Sequence, residues 1–347
     1  MSSQPTAYRP LLRAAGMAVL IGMALLSAAR ADKLIVYSSA DADALGSFAK
    51  AFAKAHPEVA VEWVRASTGV LQKRMLEERD ALKADVIFAH TAANMIELDK
   101  LGLLQALQPK GLERVGGRYL DTQDPPRWIG LYTWSTAMCW NTAAATQSRL
   151  ERPKTWQDLL NPALKGRVVM PDPLYSGTGA MMVTGWVRAM GEAKAWAFMD
   201  QLHQQVSQYT RSGSKPCEMA AAGQTQLGLS FPGRGARIKD TGGAIDVLIP
   251  EDGTAWDLQA IAVNRKTRKQ AEAMKLVEWA LSTPAMEAFA RYGEVTSVKV
   301  RVQKLPHLPP NIPERMIAQD FDWLSSQRAR ILGEWQKRYA GKTEPAP

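Results

Sequence analysis

The sequence has few of the residues that a metal site requires. Its 347 residues include two cysteines and four histidines. The histidines are scattered at positions 56, 90, 203 and 307, and the cysteines lie far apart at positions 139 and 217. Zinc sites need ligands at close and regular spacing. We therefore expect no metal site.

The two cysteines leave two possibilities open. In an oxidising compartment, Cys139 and Cys217 most simply form one disulfide. The alternative is a pair of buried thiols.

Sequence signals of catalysis are also lacking. No serine lies in a Gly-x-Ser-x-Gly elbow, and no histidine stands beside an acid that would activate a serine, although a triad assembled in space stays open. Carboxylates are plentiful, as on any globular surface, so no acid pair can be singled out. We expect a binding protein and not an enzyme.

Only one long apolar run occurs, near the N-terminus. Arg9 and Arg13 precede the apolar residues 14–28, and Ala29-Arg30-Ala31 supplies small residues at the positions that a signal peptidase recognises. The run is shorter than the roughly 20 residues of a membrane span. We interpret residues 1–31 as a signal peptide cleaved after Ala31, with an N-terminal membrane anchor as the alternative. Export to the periplasm follows.

The charge balance is mildly basic. Three of the 43 basic residues, Arg9, Arg13 and Arg30, lie in the signal peptide, whereas none of the 34 acidic residues does, so the formal charge falls from +9 to +6 on maturation. The basic residues are scattered singly among acids. This pattern suits a small anionic solute and argues against nucleic acid as a partner.

Strands and helices alternate along the chain, which predicts an α/β fold. Apolar runs at 33–37, 59–64 and 84–88 predict strands, with helices between them and over 92–100. The extended stretches 128–140 and 256–263 can carry the chain from one lobe to another and back. We predict a two-lobed protein with a cleft and two crossover strands. Its expected segments are lobe 1 over 32–130, lobe 2 over 131–252, a return to lobe 1 over 253–305, and a helical tail packed on the lobes over 306–347.

Three loops rich in Ser, Thr and Gly lead into predicted helices. They are Ser176-Gly177-Thr178-Gly179, Ser212-Gly213-Ser214-Lys215 and Ser67-Thr68-Gly69. Hydroxyl groups and the N–H groups at a helix N-terminus bind oxyanions, and glycine allows close approach of the backbone. Each loop alone is also compatible with ordinary helix capping. None has the Gly-Lys pair of a nucleotide P-loop, so we expect neither ATP nor another cofactor.

Several of these segments resemble a known family. Val36-Tyr37-Ser38, the stretch 63–69, Ala84-Asp85-Val86, Ser176–Gly179 and the stretch 212–217 are similar to the ferric-iron-type periplasmic binding proteins of ABC importers. The similarity is greatest to a branch assigned to 2-aminoethylphosphonate, and Cys139 and Cys217 match a cysteine pair of that branch. The resemblance implies a two-lobed fold and, as partners, a membrane permease with its cytoplasmic ATPase. We expect a monomer.

The resemblance also allows the ligand positions of iron-binding relatives to be compared with this sequence. Iron-binding relatives use a histidine, a glutamate and two adjacent tyrosines, and the matching positions here are Asp41, His90, Phe231 and Pro232. Fe(III) prefers anionic oxygen, and the phenolate pair is missing. Iron with a synergistic anion is therefore the alternative and not the first expectation.

The anion-holding positions fit a phosphonate better. Ser176, Gly177, Thr178, Ser212, Gly213 and Thr68 are expected to hold its oxygens, Asp41 its amine, and Phe231 to form an aromatic wall. Arg234, in a segment where the branch tends to carry acidic residues, would weaken selection of an ammonium group if it faces the cleft, and otherwise points to solvent. Another organophosphonate or a phosphate ester, such as a sugar phosphate, is the alternative ligand, and a secreted phosphonate or phosphate-ester hydrolase is the less favoured alternative function. The full expected set of ligand-binding residues is Ser38, Ser39, Asp41, Thr68, His90, Ser176, Gly177, Thr178, Ser212, Gly213, Phe231 and Arg234.

Overall fold

A computed structural model of the protein describes residues 32–292, 295–303 and 305–346. The strands of these residues are β1 Leu34–Ser38, β2 Val61–Arg65, β3 Val86–Thr91, β4 Trp128–Ser135, β5 Ala137–Asn141, β6 Val168–Pro171, β7 Val206–Thr210, β8 Leu227–Ser230, β9 Ile245–Leu248 and β10 Trp256–Val263. Their α-helices are α1 Ala42–Ala55, α2 Thr68–Glu77, α3 Ala92–Lys100, α4 Thr142–Ser148, α5 Gly177–Met190, α6 Glu192–Gln205, α7 Lys215–Ala221, α8 Pro232–Asp240, α9 Gln270–Ala280, α10 Thr283–Ala290, α11 Ile312–Arg315 and α12 Phe321–Tyr339. Short 3-10 helices cover Arg79–Ala81, Leu112–Arg114, Gly117–Tyr119, Gln157–Leu160, Pro162–Leu164 and Ala340–Lys342.

The strands form two sheets with the same design. The first has the order β2-β1-β3-β10-β4, and the second has the order β7-β6-β8-β5-β9. In each sheet three strands are mutually parallel, and the remaining two pair antiparallel at one side. Each sheet with its helices forms one lobe, which we call the first and second lobe. The predicted α/β fold with two lobes is confirmed.

Each lobe has its own apolar core. Residues such as Phe48, Phe88 and Phe289 fill the first, and Trp186 and Phe198 belong to the second. Helix α12 packs against both α3 of the first lobe and α5 of the second. It therefore connects the lobes on the side that carries these two helices.

The chain passes between the lobes twice, at β4–β5 and before β10. At these crossings the Thr136 hydroxyl lies 2.8 Å from the Thr254 hydroxyl, and the Thr136 N–H donates to the carbonyl of Ala255 at 3.0 Å. The Thr254 N–H donates to Arg315 and its carbonyl accepts from Ile317, so a third segment lies alongside. Both threonines are fully buried. These hydrogen bonds join the crossing strands at the hinge.

Cys139 on β5 and Cys217 on α7 form a disulfide, with their Cα atoms 5.2 Å apart. The predicted pairing is confirmed. The bond fixes α7, and with it the preceding loop 211–214, to a central strand of the second sheet.

The sequence patterns missed several features, among them the helices α4 and α10. Strand β7 was not predicted, and neither was α8, because its Pro-Gly-Arg-Gly start has low helical propensity. Proline is nevertheless well placed at the first position of a helix, where its missing N–H costs nothing. The predicted helical tail is not one continuous helix, since the chain breaks between α11 and α12 at residues 316–320.

Two other expectations are not tested. The signal peptide and its cleavage site lie outside the described residues, and the lobe boundaries stay a prediction. Among the described residues, every helix is too short or too polar to cross a bilayer.

Candidate ligand-binding cleft

One cavity lies where loops of both lobes meet. Its volume is about 620 Å³ including its open mouth. The first lobe contributes Ser39, Ala40, Asp41, Ala44, Arg65, Ser67, Thr68, Tyr132, Trp134, Gln259 and Tyr292, and the second lobe contributes Ser176, Gly177, Thr178, Ser212, Gly213, Ser214, Phe231 and Arg237.

The start of α5 forms one wall of this cavity. Ser176 is the N-cap of the helix, and its hydroxyl accepts from the Gly179 N–H at 3.4 Å. The first N–H groups of a helix have no carbonyl one turn earlier, so those of Gly177 and Thr178 face the helix end. The positive end of the helix dipole adds to the attraction for an anion.

The loop between β7 and α7 forms the adjoining wall. The hydroxyls of Ser212 and Ser214 lie 3.0 Å apart, and the Ser230 hydroxyl donates to the Gly213 carbonyl at 2.6 Å. A Cβ on Gly213 would lie 2.5 Å from the Thr178 hydroxyl and 2.9 Å from that of Ser176. Glycine is therefore required for the two loops to approach this closely.

The first lobe reaches the same point through the start of α2. The Gly69 N–H donates to the carbonyl of Tyr175 at 2.8 Å, which is a direct contact between the lobes. A Cβ on Gly177 would lie 2.6 Å from the Thr68 hydroxyl. The three loops predicted from the sequence thus converge on one cavity.

Charged groups lie on a different side of the cavity. Asp41, the N-cap of α1, accepts a hydrogen bond from Arg237 of α8. Arg234, earlier on α8, donates to Asp43 at 2.6 Å and to Glu218 at 2.7 Å. Burial opposes the charge of Arg234, but the three surrounding carboxylates raise its pKa above the ordinary value.

Arg237 donates to fewer carboxylates than Arg234 does. Burial lowers its pKa although Asp41 acts in the opposite direction. Its guanidinium lies 4.7 Å from the centre of the Tyr292 ring, and among the described residues its Nε and Nη1 are buried without a hydrogen-bond partner. Arg237 therefore keeps donor groups that no described residue satisfies.

Aromatic and amide groups complete the lining. Trp134 and Phe231 pack edge to face with ring centres 6.0 Å apart. Gln259 of β10 is 5% exposed, and its Oε1 is buried without a partner in the described part of the chain. The cavity thus offers hydroxyls, guanidinium donors, an amide acceptor and aromatic faces.

His90 lies behind the cavity and not on its wall. It is fully buried in β3, with Nδ1 2.8 Å from the Ser39 hydroxyl and Nε2 3.1 Å from the Gln72 amide oxygen. Burial lowers its pKa to about 3, so the ring is neutral. The preceding Ala89 has φ 50°, at an irregularity in the pairing of β3 with β10. His90 therefore supports Ser39 from the core.

A second buried group lies on β10, next to the hinge. Asp257 is 4% exposed, and its Oδ1 accepts from the N–H groups of Leu258 and Ala92. Burial raises its pKa to about 7, with Arg328 of α12 acting in the opposite direction. This carboxyl titrates near neutral pH.

Nine of the twelve expected ligand-binding residues line the cavity. Ser38, His90 and Arg234 do not: Ser38 bonds the Ala40 N–H, His90 is in the core, and Arg234 is held by carboxylates. Contact of any of the twelve with a ligand stays a prediction. The sequence analysis missed Arg65, Arg237, Gln259, Trp134, Tyr132 and Tyr292. Arg65 and Trp134 could have been recognised as candidates, because each is a basic or aromatic residue near the end of a strand.

The donors present do not suit a metal. Within the described ranges, no group of three or more His, Cys, Asp or Glu side chains could hold a metal ion. Asp41 is paired with Arg237, and the Phe231 ring offers no oxygen to a metal.

Two lobes joined by crossover strands around a polar cavity define a solute-binding protein. Comparison with known proteins gives the family: a model described as bacterial extracellular solute-binding protein matches residues 47–310. The chain belongs to this family. It is the periplasmic solute-binding component of an ABC importer, which works with a permease and an ATPase.

Individual relatives agree with this assignment. The structure of the periplasmic binding protein AfuA from Actinobacillus pleuropneumoniae, with exogenous fructose-6-phosphate bound, is 26% identical, with a TM-score of 0.81 over 89% of this chain and 99% of that one. Iron-bound HitA from Pseudomonas aeruginosa shares the fold, at 21% identity and a TM-score of 0.73 over 87% and 98% of the two chains. A "Probable ABC transporter periplasmic-binding protein" of Sinorhizobium fredii is 24% identical and covers 85% of this chain and 82% of its own length.

Proposed function

We propose that the protein captures a small organic anion through a tetrahedral phosphonate or phosphate-ester group. The observation that carries this proposal is the convergence of three hydroxyl-rich loops, from both lobes, on one cavity. The group would lie against Gly177 and Thr178 at the start of α5, beside Ser212 and Gly213. Neutral N–H and O–H donors at a helix N-terminus suit a doubly charged oxyanion.

Closure of the lobes would complete the site. Thr68 comes from the first lobe and lies against Gly177 of the second, so an anion held there contacts both lobes at once. A ligand that binds the closed form more tightly than the open form shifts the protein toward closure. The permease would then recognise the closed form.

The 2-aminoethylphosphonate expected from the family resemblance needs a carboxylate for its ammonium group. Asp41 is the candidate on the cavity wall, and it is paired with Arg237. An ammonium there would compete with a guanidinium that is already in place. This ligand is the first to be tested, and its amine is the weakest part of the fit.

A sugar phosphate is the second candidate, and two observations favour it. Arg237 has buried donors and Gln259 a buried acceptor without partners, and both residues line the cavity. A hydroxyl group both donates and accepts, so it can satisfy either residue, whereas an ammonium cannot accept from arginine. The related AfuA structure holds fructose-6-phosphate.

Calorimetry distinguishes these ligands. The full chain, purified after export, is titrated with 2-aminoethylphosphonate, its amine-free analogue ethylphosphonate, fructose 6-phosphate and ferric citrate. Binding of a phosphorus-containing ligand and none of iron supports the proposal. Tighter binding of 2-aminoethylphosphonate than of ethylphosphonate assigns the amine, and tighter binding of fructose 6-phosphate assigns a sugar phosphate. Absence of heat with all three phosphorus compounds at millimolar concentration contradicts the proposal.

A further inference from the structure

A short polar segment near the end of the sequence contacts the second lobe beside the cavity. We call Lys342, Thr343 and Glu344 the clamp segment. Lys342 Nζ donates to the carbonyls of His203 and Val206, at 2.5 and 2.7 Å, and so attaches the segment beyond the end of α6. Thr343 then pairs with Tyr209 as a parallel bridge.

This pairing extends the edge of the second sheet. Strand β7 is the outermost strand, and the Glu344 N–H donates to the Tyr209 carbonyl at 2.8 Å. The segment therefore reaches the carboxyl end of β7, where the loop carrying Ser212 and Gly213 begins.

Glu344 contacts both ends of that loop. Its Oε1 accepts from the Arg211 N–H at 2.6 Å, and its Oε2 pairs with Lys215 Nζ. The Arg211 side chain also donates to the Glu344 carbonyl at 3.3 Å. The Glu344 side chain is only 12% exposed, whereas the Lys215 side chain is 44% exposed, so it is the carboxylate of the pair that is shielded from water. One carboxylate thus spans the loop that lines the cavity.

Thr343 contacts the other anion-binding loop. Its hydroxyl donates to Asp172 Oδ2 at 2.6 Å, and Asp172 is fully buried. Asp172 Oδ1 accepts from the Leu174 N–H, and its carbonyl accepts from the Ser176 N–H, both at 2.8 Å. Asp172 therefore shapes the turn that ends at the N-cap of α5.

The two loops are also joined to each other on this side. The Asp172 N–H donates to the Thr210 carbonyl at 2.7 Å, and the Arg211 guanidinium lies 4.0 Å from the centre of the Tyr175 ring. The cavity-lining residues of both loops lie directly beyond this network. Thr343 and Glu344 are not on the cavity wall, so they can act on a ligand only through the loops.

We propose that the clamp segment positions both anion-binding loops and is required for tight binding of the phosphorus-containing group. The proposal rests on the function proposed above. A tetrahedral oxyanion needs its donors within a fraction of an ångström, and loops hold such geometry only when neighbouring groups support them. Thr343 and Glu344 are thus positioning residues.

The test uses matched substitutions in the full chain. Thr343→Val removes the hydroxyl with little change of shape, and Thr343→Ser keeps it. Glu344→Gln removes the charge that pairs with Lys215. A fourth variant lacks residues 342–347. Glu334→Gln, which breaks a surface ion pair with Arg338 on α12, is the control.

Affinity for fructose 6-phosphate and for 2-aminoethylphosphonate is measured by calorimetry, and folding by circular dichroism and thermal unfolding. We expect Thr343→Val and Glu344→Gln each to bind about five- to tenfold more weakly, Thr343→Ser to recover wild-type affinity, and the control to be unchanged. Wild-type affinity in all the clamp variants would overturn the inference.

A readout without ligand separates this inference from the proposed function. Amide hydrogen exchange in residues 172–178 and 210–215 should become faster in Thr343→Val and in the shortened chain, and not in Thr343→Ser. If the wild type binds neither ligand, the proposed function fails, and the exchange result decides the positioning role. Unchanged exchange in both loops would overturn the proposal that the clamp segment positions them.

Discussion

Arg237 of the second lobe donates a hydrogen bond to the carboxylate of Asp41 in the first lobe. A second pair, Arg234 with Asp43, lies on the same pair of helices, α8 and α1. Because the partners belong to different lobes, both pairs exist only while these faces are together. They join the lobes, as does the hydrogen bond from Gly69 to Tyr175.

Removing Asp41 should therefore favour an open form. In Asp41→Asn the partly buried Arg237 loses its charged partner, and partly buried pairs contribute more than exposed ones. We expect a larger radius of gyration by small-angle X-ray scattering in the absence of ligand. Glu58→Gln, which breaks an ion pair with Lys275 inside the first lobe, is the control. Equal radii for Asp41→Asn and wild type would show that the pair does not hold the lobes.

Gly213→Ala should weaken ligand binding. The added Cβ would lie 2.5 Å from the Thr178 hydroxyl, so the two anion-binding loops must separate. We expect affinity for the bound phosphorus compound to fall by about tenfold or more, corresponding to at least about 1.4 kcal/mol. Gly333→Ala, in α12 with open space around the new Cβ, is the matched control. An unchanged affinity would mean that Gly213 does not set the loop spacing.

Trp134 should report ligand binding by fluorescence. It lies on the cavity wall beside Phe231, whereas Trp128 is buried in the first lobe and Trp256 packs on Phe321. We expect ligand addition to change the emission of the wild type and to have little effect on Trp134→Phe. A full signal in Trp134→Phe would assign the change to another tryptophan, such as those near the hinge.

Asp257 should make stability depend on pH. Its folded pKa is about 7, above the ordinary value of 3.8, so the unfolded chain loses this proton first as the pH rises. Stability is therefore lost as the pH rises through 7. Asp257→Asn stays neutral, and we expect it to be more stable than wild type at pH 8, with the difference shrinking toward pH 5. Urea unfolding at the two pH values measures this.

A lower stability of Asp257→Asn would also have one clear meaning. If Asp257→Asn is less stable than wild type at pH 8, the ionised carboxylate with Arg328 contributes more than its burial costs. His90, whose pKa is lowered, acts in the other direction, because its contribution is lost as the pH falls below 6.5. The comparison between variant and wild type cancels the His90 effect.

The fold was largely predictable because its strands and helices alternate with clear apolar patterns. The failures have local causes. Helix α8 begins with Pro232 and contains two glycines in its first turn, so its sequence resembles a loop. Tertiary packing stabilises it, since Gly235 lies against both sulfur atoms of the disulfide. Missing α8 also meant missing Arg237.

The candidate site was predictable where it is made of loops. Ser176 and Ser212 lie in similar loops that open helices of one α/β scaffold, so their convergence could be inferred although β7 was not predicted. Arg237 and Gln259 come from a helix and a crossover strand, and their meeting depends on how the lobes pack. His90 was misplaced because β3 continues to Thr91, and the irregularity at Ala89 places its ring in the core.

The hydrogen bond between Thr136 and Thr254 restricts how the lobes can move. Two independent tethers would allow twisting and sliding as well as bending, but tethers bonded side by side favour rotation about a single axis. The opening of the cleft is then described by a single rotation angle, and that angle depends on whether a solute fills the cleft. A transporter that senses the distance between two surface points, one on each lobe, could thereby distinguish a loaded carrier from an empty one.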